Sequence, residues 1–192
     1  MIAPASLELR PGRPSDGAAM AAVLVAAWRG GYRGIVPDDV IEAQTVARWE
    51  QVLTAAVRNS QTQTVVAVDG GGEVVGFAGF GADPDDPDPR AGYLSSLYVD
   101  PAAAGAGAGR RLVAWTLSEF ADAGRTRVGL WVFRDNARAR ALYERCGFVA
   151  DGAELVDQRW RVPQVHYHLT LPGGDAADRG TETGADEDQT ES

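Results

Sequence analysis

The sequence predicts a layered α/β (α+β) domain, with a mixed sheet and helices on both faces. In the first half, short apolar runs separated by turn residues are typical of antiparallel strands. The second half runs strand–helix–strand–helix–strand. The run Val128–Phe133 is almost wholly apolar, as expected of a strand buried on both faces. With 192 residues, 45% of them hydrophobic, the chain is long enough for one such domain, which we place at residues 1–172.

The first half supplies three strands and two helical regions. Leu7–Arg10 alternates like a short strand, and Asp16 is placed to cap the helix that follows. Pro37 suits the first position of a second helical region. The turn 69–72 (DGGG) between two β-rich runs predicts a hairpin. The predicted bounds are 7–10, 63–68 and 74–80 for the strands and 16–28 and 37–57 for the helices.

The second half opens on a loop. Residues 81–90 (GADPDDPDPR) contain three prolines and four aspartates, which the interior of a sheet does not accommodate. Glycines 124 and 147 are placed to end two amphipathic helices. The remaining predictions are strands at 93–99, 128–133, 148–149 and 164–171 and helices at 110–123 and 136–146.

The charge of the chain is negative and unevenly distributed. The formal net charge is −9, and all 18 basic residues are arginine. Residues 173–192 contain seven acids against one arginine and no side chain that could build a core, so we predict a disordered acidic tail. The remaining body is acidic and lacks a basic stripe, which argues against a nucleic-acid partner.

The cysteine content and the apolar segments indicate the cellular setting. The single Cys146 excludes an intramolecular disulfide and is typical of a reducing compartment, which predicts a cytoplasmic protein. The apolar stretch Gly17–Trp28 is interpreted as a helix rather than a signal peptide, because Asp16 interrupts the approach to it. No run reaches the length of a bilayer span, so we expect no membrane partner.

The most informative stretch is 97–112 (LYVDPAAAGAGAGRRL), where a strand ends at a proline and three alternating glycines precede a helix. This order brings backbone N–H groups to a helix N-terminus, where they can hold an anion. A nucleotide P-loop is excluded, because it needs a lysine and the chain has none. A dinucleotide loop fits poorly, because its third glycine position is Arg110.

Two motifs resemble the GNAT superfamily of acyl-CoA-dependent N-acetyltransferases. The first is Leu97-Tyr98-Val99-x-Pro101 followed by Gly105-x-Gly107-x-Gly109; the second is Asn136-x-x-Ala139-x-x-Leu142-Tyr143-Glu144-Arg145-x-Gly147-Phe148. The resemblance covers most of residues 7–171. It implies a mostly antiparallel sheet of six to seven strands. It also implies transfer of acetyl from acetyl-CoA to a primary amine by direct attack, with no acyl-enzyme and no metal.

The resemblance also implies which residues bind CoA. The loop amides would hold the pyrophosphate, and backbone groups of Leu97 and Val99 would bind the pantetheine arm as an added strand would. Asn136 would contact CoA from the opposite side, although ordinary helix capping explains this residue equally well. The implied loop residues are Ala104, Gly105, Ala106, Gly107, Ala108, Gly109 and Arg110. Ala104 departs from the family, which usually has arginine or glutamine there.

Tyr143 is the candidate catalytic residue. It lies on the apolar stripe of its helix, so a core tyrosine is the alternative. The resemblance implies a general acid that protonates the departing CoA thiolate, which suits a phenol with a pKa of about 10. We interpret Cys146 as a small core residue rather than a nucleophile.

The amine acceptor must lose a proton, and the base is not evident. An alkyl amine at pH 7 lies about 3.4 pKa units from its reactive form, a penalty of about 4–5 kcal/mol. Many relatives have a glutamate where this chain has Tyr93. The candidate substitutes are Asp83, Asp85, Asp86, Asp88, His166 and His168. The two histidines could also bind a metal, but no third ligand is evident.

The acceptor itself is not identified by the sequence. The connection after the first helix walls the acceptor cleft in the family, which makes Trp28 and Tyr32, with Tyr93, candidate substrate-binding residues. We expect a small-molecule or peptide amine and consider a homodimer, since many relatives dimerise. The alternatives are a non-catalytic acyl-CoA sensor, another acyl donor, or an amino-acid or antibiotic acceptor.

Overall fold

The computed structural model describes residues 7–172, which form a seven-stranded sheet with helices on both faces. The strand order is β1-β2-β3-β4-β5-β7-β6, and within the described residues only the β4–β5 pair is parallel. The predicted mixed, mostly antiparallel sheet is therefore confirmed. The strands are β1 (Glu8–Pro11), β2 (Thr62–Val68), β3 (Val74–Ala82), β4 (Ala91–Val99), β5 (Arg127–Phe133), β6 (Val149–Asp157) and β7 (Val162–Thr170). The helices are α1 (Gly17–Gly31), α2 (Asp38–Glu42), α3 (Val46–Arg58), α4 (Ala108–Asp122) and α5 (Ala137–Arg145). The predicted acidic tail lies outside the described residues.

The two faces of the sheet bury separate apolar clusters. On one face, α1 and α2 pack side chains such as Met20, Leu24 and Ile41 against Phe77. On the other face, α4 and α5 cover Leu130 and neighbouring residues of the central strands. The sheet is thus the middle layer of three.

Local signals explain where several elements begin and turn. Thr45 accepts a hydrogen bond from the Arg48 N–H at the start of α3, and Asn136 accepts one from the Ala139 N–H at the start of α5. In the β2–β3 hairpin, the Asp69 carboxylate accepts from the N–H groups of Gly71 and Glu73. These bonds provide acceptors for backbone N–H groups that have no partner within the helix or strand itself.

The central feature of the sheet is the separation of β4 from β5. The two strands pair only at Ala91–Arg127, Gly92–Val128 and Tyr93–Gly129. Beyond Tyr93, β4 keeps β3 as a neighbour on one side and loses β5 on the other. A bulge at Ser95 lies just after the last pair, between the Leu94–Phe80 and Ser96–Gly79 pairs.

Three predictions of local structure need correction. The region 37–57, predicted as one helical region, forms two helices, α2 and α3, which the non-helical residues 43–45 separate. Strand β6 runs to Asp157 and begins at Val149, where a short strand at 148–149 was expected. The Asp16 side chain does not cap α1, since it accepts from the Arg13 N–H and forms a double hydrogen bond with Arg10.

Candidate active site

A cleft of about 450 Å³ opens where β4 and β5 separate. Its walls come from the end of α1, the separated parts of β4 and β5, helix α5 and the turn between β6 and β7. Tyr32, Tyr93, Tyr98 and Tyr143 all line it, so four phenol side chains face one space. On β4 the cleft reaches Leu97 and Tyr98.

The free edge of β4 presents backbone groups of Leu97 and Val99. The Asp100 N–H donates to the Val75 carbonyl oxygen across 2.9 Å, so the backbone groups of Asp100 face β3. Backbone groups alternate in direction along a strand, so those of Val99 and Leu97 face the opposite edge. That edge has no strand neighbour here, because β5 has diverged. The prediction of unpaired backbone groups at Leu97 and Val99 thus has a geometric basis.

The glycine loop joins this edge to the N-terminus of α4. Gly105 and Gly107 have φ values of +91° and +81°, which side chains with a Cβ adopt only at a cost. A Cβ at either position would meet no other atom within 4 Å, so the loop is open to solvent. Gly107 is the N-cap residue of α4. The left-handed conformations turn the chain from the strand into the helix.

Several amides of this loop have no partner within the described residues. The N–H groups without a protein acceptor are those of Gly105, Gly107, Ala108, Gly109 and Arg110. The amides of Ala104 and Ala106 bond to the carbonyls of Pro101 and Ala103, at 3.2 and 3.4 Å, so contact of these two residues with CoA stays a prediction. The free amides and the positive end of a 15-residue helix together make a site for an anion.

The third glycine of the motif has a packing role as well. Gly109 lies in the first turn of α4, and a Cβ there would come within 3.2 Å of Leu142 Cδ2 on α5. Its lack of a side chain lets the first turn of α4 approach Leu142 of α5. The spacing of the three glycines had predicted only a role in anion binding for Gly109.

Tyr143 lies on α5 against the cleft and is 8% exposed. Its hydroxyl has no hydrogen-bond partner among residues 7–172, and no fully buried side-chain polar atom in that range lacks one. The hydroxyl must therefore reach the cleft. Burial raises the pKa of Tyr143 above that of a free phenol, and nearby Tyr98 and Cys146 add to the shift. The side chain keeps its proton at neutral pH and can donate it.

Cys146 is half-buried behind Tyr143, one helical turn further along the chain. Burial raises the pKa of its thiol, although the positive charges of Arg110 and Arg145 oppose the shift. A protonated thiol is a poor nucleophile.

Asn136 lines the cleft and caps α5, since its Oδ1 accepts from the Ala139 N–H at 3.1 Å. The capping interpretation is thus confirmed. The side-chain Nδ2 is not used by this bond, so contact with a ligand stays a prediction.

An aromatic wall closes the cleft on the side of α1. The Trp28 ring is 1% exposed, donates from Nε1 to the Tyr98 hydroxyl at 3.3 Å and packs against Trp160 and Tyr32 with centroids 4.8 and 4.9 Å apart. Trp28 therefore supports the wall from within the core, which leaves Tyr32 and Trp160 as its accessible rings. Trp160 was not among the predicted site residues, because it lies in the β6–β7 turn, far from either motif.

Part of the cleft lining is polar. Tyr93 lines it together with Asp85, Asp157 and Arg159. Arg159 forms an ion pair with Asp157 at 2.7 Å. Burial raises the pKa of Tyr93, and the charges of Asp83 and Asp85 reinforce that shift. This part of the cleft can receive a polar or cationic group.

The candidate bases differ in their surroundings. Asp86 pairs with Arg127, and Asp88 with Arg90, so both carboxylates are held in structural ion pairs. Hydrogen bonds from neighbouring backbone N–H groups and from these arginines lower the pKa of both aspartates. Neither can take up a proton readily at neutral pH.

Two absences apply to the described part of the chain. Among residues 7–172, no three His, Cys, Asp or Glu side chains are grouped so as to hold a metal ion. Over the same range, none of the helices is both long enough and apolar enough to cross a bilayer.

Comparison with known proteins agrees with this geometry. The chain is 48% identical over 62 residues to a mycothiol acetyltransferase of Beutenbergia cavernae, covering 32% of this chain and 21% of that protein. The chain thus spans about a fifth of the length of that relative. A probable N-acetyltransferase of Mycobacterium tuberculosis is 27% identical over 175 residues, covering 86% of this chain and 95% of that protein.

A solved structure shows the same fold. The PaiA N-acetyltransferase of Thermoplasma acidophilum, crystallised in complex with coenzyme A, superposes with a TM-score of 0.73 at 19% identity. The match covers 86% of this chain and 99% of that one. The sequence profile described as "Acetyltransferase (GNAT) family" matches residues 26–148, well over half of the chain. The chain belongs to the acetyltransferase (GNAT) family.

Proposed function

We propose that the protein transfers an acetyl group from acetyl-CoA to a primary amine by direct attack, with Tyr143 as general acid. The observation that carries this proposal is the continuity of the free β4 edge with the free amides at the N-terminus of α4. An extended chain with a pyrophosphate at one end matches that surface in both shape and hydrogen bonding.

The donor side of the cleft fits coenzyme A. The amides of Gly105 and of residues 107–110 would hold the pyrophosphate, each charge interaction contributing about 0.3–2 kcal/mol. The open space over Gly105 and Gly107 admits a ligand close to the backbone. Leu97 and Val99 would bond to the pantetheine arm through their outward backbone groups. Bound acetyl-CoA supplies an activated thioester.

The residues around the thioester suit direct transfer. Tyr143 would protonate the departing sulfur, because it retains its proton and faces the cleft. Cys146 is unsuited to an acyl-enzyme intermediate, because burial raises the pKa of its thiol. Tyr32, Trp160 and Tyr93 would contact the acceptor. A small-molecule or peptide amine, a cytoplasmic location and a homodimer remain predictions.

The experiment is an amine panel followed by thiol release. The purified chain is mixed with acetyl-CoA and with alkyl amines, polyamines, amino acids, aminoglycosides and peptides with free α-amino groups. We expect turnover with at least one amine and a Kd for CoA measurable by calorimetry. Binding of CoA without turnover on any acceptor would support the sensor alternative, to which Tyr93 and Ala104 point. Turnover only with a longer acyl-CoA would show that acetyl-CoA is not the donor.

A further inference from the structure

We propose that His166 accepts the proton that the acceptor ammonium must lose, with Asp151 orienting its imidazole and Gly129 leaving space for its Nε2. This inference rests on the proposed acetyl transfer. It names a base on β7, two strands away from β4, where the family has its glutamate.

Asp151 fixes the orientation of the His166 ring. The Asp151 Oδ2 lies 2.5 Å from the His166 Nδ1, at the register shift of β6 between Ala150 and Glu154. Partial burial disfavours the charged carboxylate, but bonds from the Ala153 N–H and from His166 outweigh it, and the pKa of Asp151 is lowered. An ionised carboxylate only accepts hydrogen bonds, so the neutral imidazole carries its proton on Nδ1. In that tautomer Nε2 carries the lone pair of the ring.

Gly129 has no side chain and so leaves space beside His166 Nε2. A Cβ on Gly129 would lie 2.9 Å from His166 Nε2 and 3.4 Å from Asp83 Oδ2, so the two side chains meet over this glycine. Gly129 pairs with Tyr93 in the last β4–β5 pair before the strands separate. Tyr93 lines the cleft, and so does Trp131, which pairs with His166 across β5 and β7, so His166 lies next to the wall of the cleft.

The His166 ring lies beside an aromatic ring and two carboxylates. The ring packs against the cleft-lining Trp131 with centroids 4.9 Å apart, and 21% of the side chain is exposed. The titratable groups that face it are Asp151 from β6, Asp83 from the loop after β3, Tyr93 from β4 and His168 on its own strand. Two of these are carboxylates, and Asp151 contacts the ring directly at Nδ1.

The proton balance of the step is complete with these residues. His166 Nε2 takes a proton from the ammonium, which leaves a neutral amine and an imidazolium paired with Asp151. The nitrogen lone pair then forms the amide bond as the thioester C–S bond breaks. Tyr143 protonates the sulfur and regains a proton from the amide nitrogen. His166 later releases its proton to solvent.

The activity test compares pH profiles. We measure kcat/KM with the best alkyl amine of the panel from pH 6 to 10 for the wild type, His166→Gln and Gly129→Ala, the last of which displaces the ring while keeping it. Both variants should lose about 100-fold at pH 7. The loss should shrink to roughly threefold at pH 10, because an alkyl amine with a pKa of about 10.4 is then substantially neutral without a base.

His168→Gln is the matched control, since His168 Nδ1 lies 3.8 Å from Asp151 and 40% of the side chain is exposed. It should retain the wild-type profile, and the Kd for CoA should be unchanged in all three variants. A His166→Gln profile parallel to that of the wild type would overturn the inference and leave the proposed function standing. Absence of turnover by the wild type with every amine would overturn both.

A second readout does not depend on activity. The chain has two histidines, so ¹⁵N spectra of the wild type and of His168→Gln assign the His166 signals. We expect the Nδ1–H tautomer for neutral His166, and its loss in Asp151→Asn. An Nε2–H tautomer in the wild type would contradict the inference, because Nε2 would have no lone pair to offer.

Discussion

At the scale of single residues, the Tyr143 hydroxyl combines a raised pKa with a position on the cleft wall and no protein partner among residues 7–172. Tyr143→Phe should lower kcat about 100-fold, because the departing thiolate loses its proton donor. The Kd for acetyl-CoA should change by roughly twofold at most. Steady-state kinetics and calorimetry on the same sample separate the two effects.

Tyr167→Phe is the control for loss of a buried hydroxyl. The Tyr167 hydroxyl donates to Glu144 Oε1 and accepts from Arg140 Nε, away from the cleft. Its removal should cost about 1 kcal/mol of unfolding free energy and leave kcat unchanged. If Tyr143→Phe behaved in the same way, Tyr143 would be a core residue only.

A second prediction concerns the dependence of stability on pH. The Asp16 carboxylate is 10% exposed and paired with Arg10, whose hydrogen bond is the largest influence lowering the pKa of Asp16. Its stabilisation is therefore complete above the unfolded pKa of about 3.9 and is lost as pH falls through the lower folded value. Asp16→Asn should cost about 1–3 kcal/mol at pH 7, and less below pH 3, in urea unfolding.

Asp39→Asn is the control, because Asp39 also pairs with an arginine, Arg161, but its side chain is 72% exposed. Solvent screens such a pair, so we expect no measurable change in the unfolding midpoint. Equal losses in the two variants at every pH would show that the Arg10 pair adds nothing specific.

Site residues could be predicted where their geometry is local to one element. The position of Tyr143 on its helix and the cap formed by Asn136 both follow from spacing along the chain. The Asp151–His166 pair could not be predicted, because it depends on the β6–β7 register and on the space over Gly129. Trp160 is brought to the cleft only by the docking of a turn against α1.

At the scale of elements, the turn from β4 into α4 depends on Gly107, whose φ is +81°. Gly107→Ala should lower the unfolding free energy by about 1–2 kcal/mol and weaken CoA binding, because the amides of α4 lose their alignment. No atom lies within 4 Å of the added methyl, so the cost comes from the backbone alone. Chemical denaturation and calorimetry measure the two losses.

Gly31→Ala serves as the matched substitution. Gly31 ends α1 with no neighbour within 4 Å of a built Cβ and is not among the glycines with positive φ. It should leave both stability and CoA affinity nearly unchanged or slightly improved. Comparable losses in the two alanine variants would rule out a special role for the left-handed turn.

The order of elements could be predicted because hydrophobic periodicity and turn residues are strong over most of the chain. Strand β6 was largely missed, and its burial pattern gives the reason: nearly every residue of this edge strand is exposed. A strand without a buried face shows no alternation, so only its pairing with β7 defines it. The bulge at Ser95 was missed too, although the polar pair Ser95-Ser96 interrupts an apolar strand.

At the scale of the whole molecule, three residue pairs join β4 to β5, and the cleft divides the remainder of the two strands. A ligand bonded to the free edge of β4 should therefore stabilise the fold as well as occupy the site. Coenzyme A at 100 times its Kd should add about 2.7 kcal/mol to the unfolding free energy. Hydrogen exchange should slow at Leu97 and Val99 in particular, whereas uniform slowing across β1 to β7 would contradict binding along that edge.

One side of the cleft offers main-chain groups and the other offers side chains, and this difference affects how the protein can evolve. The proposed donor side consists of main-chain groups, so most single substitutions along β4 and the loop would leave its hydrogen-bonding groups in place. The proposed acceptor side consists of side chains such as Tyr32, Tyr93 and Trp160, each of which a single codon change can replace. Mutation can therefore diversify the amines that are accepted while the means of holding the acyl donor persists.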